Sequence, residues 1–477
     1  MPEFLCRLSD RTTPLPHYWE HTIGSGHAPL ALRADWQQQM RRCHEELGIR
    51  HVRFHGLLSD DLGTFMIVND QSLYSFFNAD QIFDFLLSIG MRPFVELSFR
   101  PTALASGNKT VFHYRGNVTP PKDLQKWAEL MRKLVAHWID RYGASEVREW
   151  FFEVWNEPNL KFFWTKGQSE YFELYRVTAE AIKGVNSSLQ VGGPATAKNE
   201  WVEEFVDFCA REKLPLDFVS THHYPTDAFG KEGDDTIAQL AQSRRSVLRE
   251  EAQNTFRRAQ GNPVYYTEWN ASSPPRDPLH DEPYAAAFVV KTILEMNGLV
   301  EGYSFWTFSD IFEENYFPSV PFHGGFGLLN LQGIPKPTYR AFELLHRLGT
   351  EQLLVDGLHA TVDAWAMPQG NKLSIMLTNH ALPHHAIAPE HVRVRVADAT
   401  QPRVVSIERI DETHANPRRL WQRMKKPEYL SPEQVEKLQD ASRLVSEPHP
   451  WKYKKRELDI RIKLPPHSVA AVTAEFA

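Results

Sequence analysis

Residues 150–158 read WFFEVWNEP, and the pattern of this stretch predicts the structure around it. It begins as a run of aromatic and β-branched residues, which favours a buried strand. Pro158 then forces the chain out of strand pairing and into a loop. Glu157 is therefore predicted to lie at the carboxyl end of a buried strand. Desolvation raises the pKa of a carboxyl group in such a place, which suits a proton donor.

A second glutamate, Glu268, occurs in a matching setting, VYYTEWN at residues 264–270. Two carboxylates at the ends of two buried strands suggest proton transfer combined with nucleophilic attack, as in glycosidic bond cleavage. If the phenol of Tyr224 reaches Glu268, it would keep that carboxylate ionised, as a nucleophile requires. A separation of ~5–5.5 Å between the two carboxyl groups indicates retention of anomeric configuration, and ~6.5–9.5 Å indicates inversion.

Short apolar runs alternate with helix-period segments up to about residue 345, which predicts a (β/α)8 barrel. In the segment 122–142, for example, apolar residues recur at helical spacing, and Gly143 follows as a stop signal. A doubly wound open sheet is the competing fold, but no glycine-rich phosphate fingerprint follows any of the runs. The eight predicted strands are Tyr18–Ile23, His51–Phe54, Arg92–Ser98, Trp150–Trp155, Leu189–Gly192, Asp217–Thr221, Val264–Glu268 and Gly302–Phe308.

Polar residues cluster at or just beyond the predicted carboxyl ends of these strands, where barrel active sites are built. They are His55, Glu96, Asn156, Glu157, His222, His223, Tyr224, Glu268 and Asp310.

After a helix-like segment at 338–348, the pattern changes to short alternating runs that predict a C-terminal β-sandwich. A capping box at Ser431–Gln434 opens a predicted helix to about Arg443, within an insertion over 416–453. We therefore divide the chain into a catalytic barrel at 16–348 and an accessory sandwich at 349–477, with residues 1–15 as a candidate extra strand of the sandwich. The predicted sandwich strands are Ala360–Ala366, Lys372–Asn379, His391–Val396, Arg403–Ile410, Leu458–Leu464 and Ser468–Ala474.

The composition excludes several classes of partner. The 477 residues carry a net charge of −7 and no long basic run, which argues against nucleic acid. No stretch approaches the ~18 consecutive apolar residues of a membrane span. The 13 Trp, 15 Tyr and 29 Phe suit stacking on sugar rings. The first residues lack the pattern of a secretory signal and the three cysteines are scattered, which predicts a cytoplasmic protein with reduced thiols. A homo-oligomer is left open.

Four runs together resemble family 39 of the clan A retaining glycoside hydrolases, the β-xylosidase and α-L-iduronidase family. The runs are RFHG at 53–56, VWNEPN at 154–159, HHYP at 222–225 and FWTFSDIFEE at 305–314. The resemblance covers nearly the whole chain, because that family also carries a β-sandwich after its barrel. It implies Glu157 as the acid/base, Glu268 as the nucleophile, Asn156 on the sugar 2-hydroxyl and Trp306 as the sugar platform.

The resemblance also implies that His55, His223 and Tyr224 line the −1 subsite, with Glu313 or Glu314 binding distal hydroxyls. His222 and His223 are adjacent on a strand and must point to opposite faces, and we favour His223 for the pocket. Glu313 and Glu314 likewise cannot both point inward. The side chains of Phe163 and Trp164 either stack on a +1 sugar or pack the loop.

The predicted activity is that of a retaining exo-glycosidase of the β-xylosidase type, which releases xylose from short xylo-oligosaccharides. Such an enzyme needs no metal or cofactor. The alternatives are another activity of the family or clan (α-L-iduronidase, α-L-arabinosidase, another exo- or endo-glycosidase), metal-assisted hydrolysis, and a non-catalytic sugar-binding barrel. No HxH or HExxH spacing supports metal-assisted hydrolysis. A non-catalytic sugar-binding protein would not need a buried pair of carboxyl groups.

Overall fold

Eight parallel strands close into a barrel in the computed structural model, which describes residues 1–226, 235–314 and 316–476. Each strand pairs with the next along the chain, and the eighth pairs with the first, which confirms the predicted (β/α)8 fold. The barrel strands are Thr22–His27, His51–His55, Arg92–Glu96, Phe151–Glu153, Gln190–Thr196, Phe218–His222, Val264–Trp269 and Gly302–Phe305.

Helices surround the barrel and bury their apolar faces against its strands. In Leu124–Tyr142, for instance, Trp127, Leu130, Leu134 and Trp138 are fully buried, as their helical spacing predicts. The barrel helices are Ala34–Leu47, Phe77–Ser88, Leu124–Tyr142, Ala144–Val147, Gln168–Val185, Val202–Glu212, Thr236–Gln242, Val247–Arg258, Pro283–Glu295 and Pro337–His346. Short 3-10 turns span Tyr18–Glu20, Ala28–Leu32, Asp60–Leu62, Thr102–Leu104, Ala197–Asn199 and Pro278–Asp281.

The first barrel strand lies later in the chain than its prediction. The aromatic run at Tyr18–Glu20 is a 3-10 turn whose rings are buried, and the strand itself is Thr22–His27. That strand contains Gly24 because the Trp306 ring packs directly on it; a Cβ there would lie 2.4 Å from a carbon of that ring. Small residues therefore occupy a strand that a hydrophobicity pattern does not reveal.

Inward-facing residues of the barrel change from aromatic to charged along the strands. Phe94 and Phe151 are paired neighbours whose rings stack 5.1 Å apart at the amino-terminal end of the barrel. Two residues further along the same strands, Glu96 and Glu153 are also paired and fully buried. Because side chains alternate along a strand, the carboxylates face the same interior as the rings. The aromatic layer closes the bottom of the barrel, and the charged layer is the floor of its mouth.

Two five-stranded sheets form a sandwich and share one apolar core. Their strands, each sheet in order, are Val355–Asp356, Glu3–Arg7, Glu390–Ala397, Glu457–Leu464 and Trp451–Lys454, then Val362–Gln369, Lys372–Asn379, Ser468–Phe476, Pro402–Ile410 and Glu447–Pro448. The strand Glu3–Arg7 pairs in parallel with Glu390–Ala397. The assignment of domain boundaries, with the division after residue 348, stays a prediction. Further two-stranded pairs join Thr13–Pro14 to Glu351–Gln352, Phe65–Val68 to Gln71–Tyr74, and Thr110–Val111 to Gly116–Asn117.

A helical insertion interrupts the sandwich. Its second helix, Pro432–Ala441, begins with the predicted capping box, in which Ser431 and Gln434 bond to each other's backbone. The first, Pro417–Arg423, places Trp421 in a small apolar cluster with Phe322. The insertion therefore packs against a loop that follows the last barrel strand. In the part of the chain that is described, no helix has the length and apolar character needed to cross a membrane.

Candidate active site

A cavity of about 340 Å³ opens at the carboxyl ends of the barrel strands. Its floor holds both Glu157 and Glu268, and six Phe, Tyr and Trp side chains contribute to its walls. The lining residues are His55, Phe112, Asn156, Glu157, Leu160, Phe162, Phe163, Ala197, Lys198, Tyr224, Thr226, Glu268, Ser273, Pro275, Trp306, Glu314 and Phe326.

The two glutamates lie close together although they come from the fourth and seventh strands. One carboxylate oxygen of Glu157, one of Glu268 and a ring nitrogen of His222 all lie within 4.8 Å of one another. An oxygen pair this close fits the ~5–5.5 Å carboxyl spacing of retaining glycosidases better than the ~6.5–9.5 Å that leaves room for the water of an inverting enzyme. The geometry therefore suits direct attack by one carboxylate on a sugar whose leaving oxygen is protonated by the other.

Glu157 occupies an unusual backbone conformation just beyond its strand. Its φ is +43°, and that of Trp155 is +73°, in a region that non-glycine residues rarely adopt. The turn is held by a backbone hydrogen bond from Glu157 N to Ala195 O of 2.8 Å. It directs the carboxyl group into a buried environment, and burial raises the pKa of Glu157 to about 7. The residue therefore retains its proton up to near-neutral pH.

Both carboxylate oxygens of Glu268 accept hydrogen bonds from neighbouring side chains. Arg53 donates from Nη1 to Glu268 Oε1 at 2.8 Å, and Tyr224 Oη donates to Glu268 Oε2 at 3.2 Å. Burial raises the pKa of the Tyr224 phenol well above its usual value, so the phenol keeps the proton that it donates. A carboxylate with a guanidinium on one oxygen and a phenol on the other is poised as a nucleophile.

Arg53 is the centre of the charged layer below the cavity. Its fully buried guanidinium contacts Glu96 Oε2 at 2.9 Å, Glu153 Oε2 at 2.6 Å and Asn156 Oδ1 at 2.9 Å, in addition to Glu268. Because the Asn156 oxygen accepts from Arg53, the amide nitrogen is the atom with which Asn156 can donate to a sugar hydroxyl. A single cation thus orients three acidic side chains and an amide.

His55 and Glu314 form a further part of the cavity lining, beside Glu268. The His55 Nδ1 lies 2.7 Å from Glu96 Oε2, and its Nε2 lies 3.5 Å from Glu314 Oε1. Burial alone would lower the pKa of His55, but the negative charges of Glu96, Glu268 and Glu314 raise it to about 9. Burial raises the pKa of Glu314 to about 8. This wall can therefore both donate and accept hydrogen bonds near neutral pH.

Several residues singled out from the sequence meet in this cavity. Besides the two glutamates, the lining contains the predicted residues Asn156, His55, Tyr224, Trp306, Glu314 and Phe163. Trp306 lies just beyond the last strand, and its ring centroid is 4.8 Å from that of His55. The catalytic and binding roles given to these residues stay predictions.

The preference for His223 over His222 is wrong. His222 is the residue that faces the carboxylates, with its Nδ1 2.9 Å from Glu157 Oε1. His223 points to the outer face of the strand, where its Nε2 lies 2.7 Å from Tyr303 Oη and its Nδ1 3.3 Å from Glu251. The two side chains alternate as expected, and Phe218, which belongs to the inward-facing aromatic layer, puts His222 on the same face four residues later.

Glu313 and Trp164 also lie outside the cavity lining. Glu313 Oε1 lies 3.0 Å from His27 Nδ1, so it anchors its loop to the end of the first strand, and Glu314 is the one that faces the pocket. Trp164 is fully buried in loop packing, where its Nε1 donates to Gly167 O and its ring packs on that of Trp155. The loop-packing alternative is therefore the correct one for Trp164.

Arg53, Glu153 and His222 form the layer beneath the reacting groups, a role that their local sequence does not reveal. Arg53 and Glu153 are charged residues within otherwise apolar strands, and such a residue must be paired when it is buried. That signal identifies them as candidates, although it does not show that they meet. Phe112 and Lys198, which line the cavity mouth, come from loops without a distinctive pattern.

Two sets of side chains in the described ranges bring donor atoms close enough to share a cation. One is the catalytic cluster of Glu157, His222 and Glu268, and the other is His17, Glu20 and His346 at the opposite end of the barrel. In the second set both histidine Nδ1 atoms contact Glu20 Oε1, at 2.7 and 2.8 Å. These distances are those of hydrogen bonds, so the geometry as it stands is that of a carboxylate shared between two imidazoles.

A matched pair of variants at Glu313 and Glu314 tests which of these two side chains faces the cavity. We expect Glu314→Gln to lower kcat/KM by roughly 10–100-fold, because it replaces the carboxyl group that lies beside His55 in the cavity wall. Glu313→Gln removes the partner of His27 outside the cavity, and we expect kcat/KM to change by less than about threefold. Steady-state kinetics on one aryl glycoside compares the two variants. Equal losses for both would contradict the assignment of Glu314 to the cavity.

The eight-stranded barrel carries two buried glutamates at its mouth, with carboxylate oxygens within 4.8 Å of each other. This combination defines the protein as a glycoside hydrolase. Comparison with known proteins identifies the family. The model of glycosyl hydrolases family 39 matches residues 7–457, and the chain belongs to that family.

Two curated relatives and one solved structure illustrate the similarity. A β-xylosidase of Caldicellulosiruptor saccharolyticus is 50% identical over 96% of this chain and 95% of its own. A β-xylosidase of Geobacillus stearothermophilus is 37% identical over 92% of this chain and 88% of its own. The crystal structure of a family 39 enzyme from Xanthomonas axonopodis pv. citri superposes with a TM-score of 0.88 at 31% identity, covering 100% of this chain and 98% of that one.

Proposed function

We propose that this enzyme is a retaining exo-acting β-xylosidase that releases xylose from the non-reducing ends of β-1,4-linked xylo-oligosaccharides. The observation that carries the proposal is the pairing of Glu157 with Glu268, whose carboxylate oxygens lie within 4.8 Å in a cavity with aromatic walls. The environments of the two groups differ in the direction that double displacement requires. Glu157 is buried and holds a proton, whereas Glu268 is paired with Arg53.

In the first step the Glu268 carboxylate attacks the anomeric carbon and forms a glycosyl ester. As the glycosidic C–O bond breaks, Glu157 transfers its proton to the leaving oxygen, so the aglycone departs as an alcohol. Arg53 and Tyr224 hold Glu268 in position through its two oxygens. The Asn156 amide is placed to bind the sugar 2-hydroxyl, a contact that strengthens as positive charge develops on the ring.

In the second step the Glu157 carboxylate removes a proton from water. The resulting hydroxide attacks the anomeric carbon, the ester bond to Glu268 breaks, and the sugar leaves with its original configuration. Glu157 is then protonated and Glu268 is ionised, which is the state in which the cycle began.

The substrate is supported by the cavity and by the relatives. At about 340 Å³ the cavity is near the small end of the ~300–1,000 Å³ range of ligand pockets, which suits a short substrate bound by its end. The two relatives with 50% and 37% identity are both called β-xylosidase. We further propose a reducing compartment, the cytoplasm, because Cys6, Cys43 and Cys209 are buried free thiols.

A panel of nitrophenyl glycosides tests the substrate, and NMR of the first-formed product tests the mechanism. The panel contains β-D-xyloside, α-L-arabinoside, β-D-glucoside and α-L-iduronide, and we expect the xyloside to have the highest kcat/KM. The initial product should be β-xylose. A preference for another glycoside would overturn the substrate assignment alone, whereas initial α-xylose would overturn the double displacement.

The pH dependence follows from the buried acid. Because burial raises the pKa of Glu157 to about 7, its active protonated form predominates below that pH and is lost as the pH rises through it. We therefore expect kcat/KM for xylobiose to fall on the alkaline side with a midpoint near pH 7. Initial rates across pH 4–9 measure it.

The control for that experiment is Glu157→Ala with dinitrophenyl β-xyloside. Dinitrophenolate leaves without protonation. The kcat/KM of this variant, which reports formation of the glycosyl ester on Glu268, should therefore no longer fall at alkaline pH. An unchanged alkaline fall in the variant would mean that another group, such as Glu314, controls it.

A further inference from the structure

A chain of buried hydrogen bonds runs beneath the cavity from Arg53 to Glu157. Arg53 Nε donates to Glu153 Oε2 at 2.6 Å, and Thr267 Oγ1 donates to Glu153 Oε1 at 2.8 Å. The same Thr267 oxygen lies 3.0 Å from His222 Nε2, and His222 Nδ1 lies 2.9 Å from Glu157 Oε1. The chain therefore joins the cation that holds the nucleophile to the carboxyl group of the acid/base.

The direction of each hydrogen bond in this chain is fixed by the chemistry of its first members. A guanidinium can only donate, and the Glu153 carboxylate that pairs with it can only accept. The single hydroxyl proton of Thr267 is therefore directed to Glu153. The Thr267 oxygen can then act only as an acceptor toward His222, so the proton in that contact belongs to His222 Nε2.

This leaves His222 Nδ1 without a proton. Burial lowers the pKa of His222 to about 4, so the ring is neutral at near-neutral pH, and a neutral imidazole carries one N–H. Nδ1 therefore presents a lone pair toward Glu157 Oε1. The contact of 2.9 Å is a hydrogen bond only when Glu157 supplies the proton.

We propose that His222, whose tautomer is set by Thr267 and Glu153, accepts a hydrogen bond from the protonated form of Glu157 and so stabilises the acid over its carboxylate. The inference rests on the proposed function of Glu157 as the acid/base. His222 and Thr267 are positioning residues, because they act on the reaction through Glu157.

The charges around Glu157 show why such an acceptor matters. Positive charges on His55, Arg53 and Lys198 favour the ionised form of Glu157, whereas the negative charge of Glu96 opposes it. Around His222, the charges of Glu268, Glu153 and Glu96 favour an imidazolium, and burial and Arg53 oppose it. The titratable and charged groups that face the pair are Arg53, His55, Glu96, Glu153, Lys198, Tyr224, Glu268 and Glu314.

The lone pair on His222 Nδ1 also acts in the second step of the reaction. Once Glu157 has given its proton to the leaving group, its carboxylate faces the Nδ1 lone pair across the same short distance. That repulsion makes the carboxylate a stronger base toward water, and removal of a proton from the water restores the hydrogen bond. The neutral ring therefore keeps Glu157 protonated before the first step and strengthens it as a base in the second, without itself gaining or losing a proton.

Neutron diffraction of perdeuterated crystals at pH 5.5 tests the proton positions directly. We expect deuterium on His222 Nε2 and on the Glu157 carboxyl group, and none on His222 Nδ1. Deuterium on Nδ1 would overturn the proposal. This measurement uses the unaltered enzyme and needs no turnover. A failure of the proposed function would instead appear in the glycoside panel, so the two failures can be distinguished.

A matched pair of variants tests the consequence for catalysis. Thr267→Val removes the hydroxyl, frees His222 to adopt the Nδ1–H tautomer and lets it donate to the Glu157 carboxylate. The alkaline limb of kcat/KM should then move to lower pH by about one unit, the size expected for a hydrogen bond to a charged group. Thr267→Ser keeps the hydroxyl and should leave the limb in place. A limb that stays in place in Thr267→Val, or that moves equally in both variants, would overturn the proposal.

Discussion

Replacement of Glu268 by alanine should reduce kcat for β-xylosides by roughly 10⁵-fold or more, as expected when the nucleophile of a covalent mechanism is removed. The fold should be unaffected, because the shortened side chain leaves space at the floor of an open cavity. Arg53 loses one of its acidic partners but keeps Glu96 and Glu153. Far-UV circular dichroism and the unfolding midpoint confirm that the variant is intact before its rates are measured.

Azide should restore part of the lost activity and should report the geometry of attack. In Glu268→Ala the anion can enter the space left by the carboxylate and attack the anomeric carbon from the same face. The product from a β-xyloside is then α-xylosyl azide, which NMR distinguishes from the β anomer.

The matched control is Glu157→Ala under the same conditions. There the glycosyl ester on Glu268 still forms from an activated substrate, and azide attacks it from the face that water uses, giving β-xylosyl azide. Opposite anomers from the two variants establish the two roles at once. The β anomer from Glu268→Ala would mean that the roles of the glutamates are exchanged.

Replacement of Arg53 by methionine should lower the free energy of unfolding by about 3–5 kcal/mol, the loss typical of breaking a buried ion pair. Methionine has a similar length but leaves Glu96, Glu153 and Glu268 in a buried layer without the cation that contacts all three. Activity should fall as well, because Glu268 and Asn156 lose the group that orients them. Denaturant unfolding, monitored by tryptophan fluorescence, measures the change.

The pH dependence of this loss has a definite sign. Burial opposes ionisation of Glu96, but Arg53 and His55 lower its pKa below the usual value. Without Arg53 its pKa rises, so the carboxyl group can be neutralised by a proton at low pH. The destabilisation should therefore be smaller at pH 5 than at pH 8.

Arg141→Met is the control for the arginine substitution. Arg141 pairs with Asp84 on the surface, where an ion pair contributes ~1 kcal/mol or less. If Arg53→Met were no more destabilising than this control, the charged layer would not be a stabilising element of the barrel.

The sequence was sufficient to predict the barrel and the meeting of Glu157 with Glu268. Both glutamates follow strands whose apolar pattern is strong, and the ends of parallel strands must meet at one edge of a closed barrel. The first strand was placed too early because Thr22–His27 contains small and polar residues. Its composition reflects the Trp306 ring packed on Gly24, a contact between opposite ends of the barrel sequence.

Side-chain direction was the part that local pattern could not supply. Alternation requires His222 and His223 to face opposite ways, but which of them faces inward follows from Phe218, whose ring joins the inner aromatic layer only in the closed barrel. The role of Arg53 was hidden for a related reason. Its acidic partners come from the third, fourth and seventh strands, so the layer that they form exists only once the barrel has closed.

The strand Glu3–Arg7 can pair only after strands much later in the chain have been synthesised. Its parallel partner begins at Glu390, so at ~5–20 residues per second roughly 20–80 s pass between their appearances at the ribosome. Until Val355 emerges opposite Cys6, Phe4 and Cys6, which the finished sandwich buries, have no apolar neighbours from that sheet. The barrel can assemble as soon as its eighth strand has emerged, whereas the strand Glu3–Arg7, made before all eight, is among the last to find its place.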